Sequence, residues 1–177
     1  MSTKKPFLIC AGGLVLGLFI SLLVAQGVKY SSTSEFCASC HEMKFVYDTW
    51  EKNAHGPLSG SAGACKASCV DCHMPHNANV ATYLFVKTKA AVRDVIGHIR
   101  GPEKFDWVKN LDERNRYTYE SSCKGCHKVI SDNIMHEKYK KGETDKTCID
   151  CHHGVGHGDY FREKLEAMLS KGMMAEK

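Results

Sequence analysis

Net charge is the first thing this chain has little of. Twenty-four Lys and Arg stand against 20 Asp and Glu, a formal +4 over 177 residues, too small an excess for this length to argue for nucleic acid as a partner. Charge of either sign is missing altogether from residues 7 to 28, FLICAGGLVLGLFISLLVAQGV. These 22 residues are long enough to cross a bilayer as a helix. They exceed the apolar core of a secretory signal, about 7–15 residues, so an uncleaved anchor is favoured over a leader cut near Ala25 and Gly27. Cys10 is no lipidation site, because Ile9 precedes it where a small residue is wanted. Lys4 and Lys5 lie before the run, which puts the N-terminus in the cytoplasm and everything after Lys29 outside.

Cysteine, by contrast, is plentiful and patterned. Eight of the ten cysteines fall in four copies of one motif: Cys37-Ala38-Ser39-Cys40-His41, Cys69-Val70-Asp71-Cys72-His73, Cys123-Lys124-Gly125-Cys126-His127 and Cys148-Ile149-Asp150-Cys151-His152. Structural zinc also uses CxxC pairs, but takes four ligands from two of them and needs no histidine after each. A disulfide framework explains neither the fixed spacing nor the histidines. Each motif is a c-type haem attachment site, in which two thiols bond covalently to the haem and the histidine ligates the iron. Four covalently bound haem c groups are therefore expected, on Cys37, Cys40, Cys69, Cys72, Cys123, Cys126, Cys148 and Cys151. The attachment chemistry takes place beyond the bacterial inner membrane, on the side where the anchor leaves the rest of the chain.

So large a cofactor mass predicts a mainly α fold with little sheet. The expected layout is an N-terminal transmembrane anchor over 1–29 and a multihaem cytochrome c domain over 30–177, packed around four haems. Residues 30–35 read as a polar linker. A helix is predicted through 44–52, ending near His55-Gly56-Pro57. A loop is predicted over 57–68, and a helix over 80–100 with Leu84, Ala91, Val95 and Ile99 on one stripe. Gly101-Pro102 stops that helix. Residues 103–122 are a further helix or a surface loop, and 159–171 is amphipathic, with Phe161, Leu165 and Leu169 at i, i+4 spacing. Asp71 and Asp150 precede the second cysteine of motifs 2 and 4, a faint sign of a duplicated two-haem unit.

A low-spin haem iron needs a second axial ligand, which His or Met supplies. Outside the motifs stand His55, His76, His98, His136, His153 and His157. His55, His136 and His157 each follow a motif by a loop or short helix and are the expected distal ligands, alongside the motif ligands His73, His127 and His152. Motif 1 continues His41-Glu42-Met43, so either His41 or Met43 can hold the first iron. If Met43 does, that haem keeps an open face beside the anchor. Cys65, four residues before Cys69, forms an additional C-x3-C with no assigned role.

These features come in a particular order: an anchor, CxxCHxM, a His-Gly after the first motif, CxDCHxP, two further CxxCH motifs and a terminal CIDCHxGxxH. In this order the chain resembles, over nearly its whole length, the NapC/NrfH family of membrane-anchored tetrahaem quinol dehydrogenases. The resemblance implies menaquinol oxidation at the first haem and electron delivery to a periplasmic reductase. It also points to Met43 as ligand of the first iron, and to a lysine and an aspartate seven residues apart as the quinol site, here Lys87 and Asp94.

Chemistry gives these two residues a use. Quinol oxidation releases protons as well as electrons, and a carboxylate is a suitable acceptor. Lys87, Ala91, Asp94 and His98 share one helix face. In the expected scheme Asp94 takes a proton, Lys87 binds a quinol oxygen, Ala90 and Ala91 leave room for the ring, and His98 passes the proton onward. Without the resemblance, Lys87 and Asp94 read as charges on a solvated face.

The expected protein is a single-pass protein of the bacterial inner membrane with a periplasmic haem domain. Its expected partner is cytochrome c nitrite reductase, the ammonia-forming enzyme served by the NrfH branch. The alternatives are a NapC- or CymA-type donor to nitrate or other reductases, and an anchored electron carrier with no quinol site. The anchor and the terminal helix each offer a surface for a homo-oligomer.

Overall fold

A computed structural model describes residues 4–60 and 65–172. Ten α-helices and three short 3-10 turns follow one another, with no strand among the described residues. The first helix, α1 (Lys4–Tyr30), is 27 residues long, about 40 Å at 1.5 Å per residue and more than the roughly 30 Å hydrocarbon layer. Its side chains from Lys5 to Gly27 are exposed, and its mean hydropathy reaches 2.7. An apolar rod that packs on nothing of its own chain needs lipid around it.

The predicted linker at 30–35 is more ordered than its composition suggests. Helix α1 runs to Tyr30, and Thr33 caps a new short helix, α2 (Ser34–Cys37), by accepting from the Phe36 N–H at 3.2 Å. Buried Ser34 then accepts from the Cys69 N–H at 3.2 Å, which ties motif 1 to motif 2. The predicted helix at 44–52 is α3 (Lys44–Glu51). Motif 2 forms α4 (Cys69–His73) and motif 4 forms α9 (Cys148–Cys151). Each opens with a capping box, Ser68 with Asp71 and Thr147 with Asp150. The aspartate shared by those motifs is thus the third residue of a helical turn, reaching back to the first unpaired N–H groups.

The long helix α5 (Val80–Arg100) matches its predicted span. Asn79 caps it by accepting from the Thr82 N–H at 2.9 Å. Gly101 ends it at φ 95°, a conformation that glycine takes without a Cβ clash. Beyond it come α6 (Trp107–Asp112), then α7 (Glu120–Cys126), which carries motif 3, and α8 (Ile134–Lys140). Residues 103–122 therefore hold both a helix and surface turns. Last is α10 (Phe161–Ser170), which packs on α6 and stacks Phe161 on Phe45 at 5.3 Å.

A side-chain core is nearly absent. Leu165 is the one hydrophobic residue fully buried among those described, at 1 % exposure. The accessible surface is 12748 Å², against about 8,600 Å² for a compact chain of this mass. Part of the excess is α1. The rest follows from helices of four to seven residues, too short to persist alone, that surround space rather than each other.

Candidate functional site

All eight motif thiols are free. The thiols of Cys37 and Cys69 lie within hydrogen-bonding reach of one another, as do those of Cys123 and Cys148. Motifs 1 and 2 therefore meet at their first cysteines, and motifs 3 and 4 do the same.

Each motif histidine faces a second histidine from a distant part of the chain. Ring centres are 5.9 Å apart for His41 and His98, 5.9 Å for His127 and His55, 6.5 Å for His73 and His157, and 6.0 Å for His152 and His136. An imidazole nitrogen binds a metal at about 2.0–2.1 Å, so a metal between two rings separates their centres by about 6 Å. The three expected distal histidines, His55, His136 and His157, are thus each brought to a different motif histidine. His153 and His76 are not: His153 lies 3.8 Å from Asp159, and His76 contacts the Val70 carbonyl at 2.9 Å.

Three pairs share a supporting detail. The Nδ1–H of His55 donates to the Cys65 carbonyl at 2.9 Å, that of His136 to Ser131 at 2.8 Å, and that of His157 to Val46 at 3.2 Å. His73 does the same to Tyr117 at 2.6 Å. Fixing Nδ1 as the donor leaves Nε2 as a lone-pair ligand. Desolvation pushes the pKa of His73 down, and that of His157 to about 4, so both are neutral at pH 7, the state a metal requires. Free thiols, paired imidazoles and a fold with one buried apolar side chain among the described residues all fit haem c.

The first pair is built differently. Glu42, on the turn His41–Met43, accepts from His98 Nδ1 at 2.6 Å with one carboxylate oxygen. Its other oxygen lies 3.1 Å from His41 Nδ1 and has no hydrogen-bond partner of its own. One carboxylate therefore draws both Nδ1 ends together. Desolvation raises the Glu42 pKa, but hydrogen bonds from its own backbone and from His98, with the nearby imidazoles, outweigh that and leave it below the ordinary value.

A cleft of about 510 Å³ opens between α1 and α5. Val24, Gly27, Val28 and Ser31 line one side, and Leu84, Lys87, Ala91 and Val95 are among those lining the other. Lys87 donates to the Ser31 carbonyl at 3.0 Å and to Ser32 Oγ at 2.9 Å. The cation is thereby held at the point where the anchor ends. Desolvation lowers its pKa, partly offset by Cys37. Asp94 stands outside the cleft lining but within its span of α5, on the same edge of the helix as Lys87. It is open to solvent on one side, yet the protein around it desolvates the carboxyl and raises its pKa, with Arg93 opposing. Lys87 acts electrostatically on Cys37, and Asp94 on both Cys37 and Cys40, so both expected site residues lie beside motif 1.

Ser31, Ser32 and Glu42 were not legible as site residues. Nothing in a serine pair marks it as a clamp for a lysine 55 residues on. Glu42 had a weak signal in its place directly after motif 1.

The NapC/NirT cytochrome c family, N-terminal region, matches residues 1–161. The chain belongs to that family. This cytochrome is 31% identical to a protein named putative tetraheme cytochrome-c type from Allochromatium vinosum, over 88% of this chain and 91% of that one. Cytochrome c-type protein NapC of Escherichia coli (strain K12) is 28% identical, over 87% and 85%. Cytochrome c-type protein TorC of the same strain is 31% identical over 82% of this chain, which spans 40% of TorC's length. No solved structure matches. Membership makes this a c-type cytochrome with covalently bound haem c, carrying one apolar N-terminal helix that fits a membrane anchor.

Proposed function

We propose that this cytochrome is a membrane-anchored tetrahaem quinol dehydrogenase, which oxidises menaquinol and delivers electrons to a periplasmic reductase. The observation that carries this reading is the cleft between α1 and α5, which has the clamped Lys87 in its wall and Asp94 on the adjoining edge, beside motif 1. The N-terminus lies in the cytoplasm, residues 1–29 span the inner membrane, and residues 30–177 form the periplasmic haem domain.

Haem c supplies one-electron acceptors that pass electrons onward. The chain's own residues do the rest. Apolar Val24, Val28, Leu84 and Val95 exclude water and receive a ring and its hydrocarbon tail. Lys87 points its ammonium at a quinol oxygen. Asp94, its pKa raised by desolvation, takes a released proton, and His98 hands it toward water. Small Ala91 in the cleft wall leaves room for a flat ring. Ala90 points away from the cleft lining.

His73 with His157, His127 with His55, and His152 with His136 would hold three haem irons. Met43 would hold the first; His98 differs from the other distal histidines in being held at Nδ1 by the Glu42 carboxylate and not by a backbone carbonyl. Magnetic circular dichroism tests this assignment: the thioether signature is present in wild type and absent in Met43→Leu.

Cytochrome c nitrite reductase is the acceptor expected from the sequence. The near full-length likeness to NapC favours a second reading, in which another periplasmic reductase is served. Purified, haem-loaded protein in detergent tests the function. Rapid haem reduction by a menaquinol analogue supports a quinol dehydrogenase. No reduction, with dithionite still reducing every haem, makes the protein a passive carrier.

A further inference from the structure

Helix α5 does more than line a cleft. At 3.6 residues per turn its surface divides into four strips. One edge carries Lys87, Asp94 and His98. Leu84, Phe85, Val92, Val95, Ile96 and Ile99 fall together within about a third of the circumference beside that edge. Lys89, Arg93 and Arg100 form the next strip, and Arg93 also lies over the Tyr117 ring at 5.8 Å. Gly97, on the remaining side, is buried beneath Phe105.

The apolar sector is exposed along its whole length. Phe85 is 68% exposed and Ile99 77%, and all six residues are exposed. Few soluble surfaces carry so continuous an apolar strip. Its place in the fold says what covers it. Leu84, Val92, Val95 and Ile96 line the cleft with Val24, Gly27 and Val28, the last apolar turn of α1. Lys87 is bonded to Ser31 and Ser32, just past the C-terminal end of α1. With α1 in a bilayer, as the proposed function has it, α5 is held at headgroup height, its apolar sector on the side that lines the cleft with α1. Only α1, among the described residues, is long and apolar enough to span a bilayer.

We infer that α5 is a second membrane contact: it lies in the outer leaflet interface of an anionic phospholipid bilayer, with its apolar sector in the acyl boundary. An apolar sector bordered by basic residues is the pattern of an interfacial helix. Lys89, Arg93 and Arg100 face lipid phosphates, while Lys87 and Asp94 on the opposite border face motif 1. The cleft mouth then opens into lipid, and a long-tailed ligand enters without crossing water.

Photo-crosslinking tests this independently of quinol chemistry. A diazirine residue is encoded in place of Phe85, Ile99 or Val129 in the full chain, and full haem loading is checked. Each protein is then reconstituted in vesicles of phosphatidylethanolamine and phosphatidylglycerol, irradiated and analysed by mass spectrometry. Val129 is the control, 90% exposed between motif 3 and α8. Lipid adducts at position 85 or 99 at least about fivefold above those at 129 support an interfacial helix. Lipid yields equal to the control at both positions, or crosslinks between two copies of the chain in place of lipid adducts, overturn it.

Discussion

The haem body and the membrane end of this cytochrome hold their titratable groups in opposite ways. In the body, His73 and His157 are withdrawn from water and kept neutral, and carbonyls fix Nδ1 of His73 and of the three distal histidines, the arrangement the proposed passive ligands need. At the membrane end the groups keep their charge and remain reachable. Lys87 is tethered by neutral oxygens that leave its charge uncompensated, and Asp94 is only partly desolvated. On the proposed function, the body serves static ligation and the membrane end serves binding and proton exchange.

Attachment variants break that comparison most severely. Replacing Cys123 and Cys126 together with Ser removes one haem from a body that has a single buried apolar side chain. The expected result is failure to accumulate folded protein, read by haem content and proteolysis; a stable three-haem product contradicts it. His157→Ala is next. It is expected to convert about a quarter of the haem from low to high spin in electron paramagnetic resonance, with quinol-driven reduction of the first haem retained.

The pH profile sharpens the contrast at the membrane end. Asp94 must be ionised to accept a proton, and its raised pKa places the acid limb of quinol-driven reduction above the ordinary 3.8. Lys87 must be charged, and its lowered pKa places the alkaline limb below the ordinary 10.5. Activity is therefore lost as pH falls through the first and as it rises through the second. In Asp94→Asn the acid limb is expected to disappear from the residual rate. The smallest effect is structural. In Gly97→Ala the new methyl meets the Phe105 ring, and overpacking of this kind costs about 1–3 kcal/mol, read as a lowered thermal midpoint with an unchanged haem spectrum.

Local signals were legible where they sit next to one another in sequence. The motifs, the anchor and α5 are of this type: Asn79 and Gly101-Pro102 punctuate α5 at both ends. The order within 30–35 is hard to see in sequence, because Thr33 caps a helix of only four residues and Ser34 has its partner 35 residues on. The distal histidines were legible as a set. Their pairing was not, since it depends on contacts such as Asn53 with Gly154 across 101 residues. The aspartate of motifs 2 and 4 suggested a duplication; its physical role is a helix cap.

The most direct test of the central claim is stopped-flow reduction of the haems by a menaquinol analogue, comparing wild type with Asp94→Asn, with dithionite reduction as the control. The account predicts that the variant's quinol-driven rate falls by about 100-fold or more, as expected when a general base is removed, while dithionite still reduces all its haem. An unchanged quinol rate in fully loaded Asp94→Asn would contradict it and move the site away from α5.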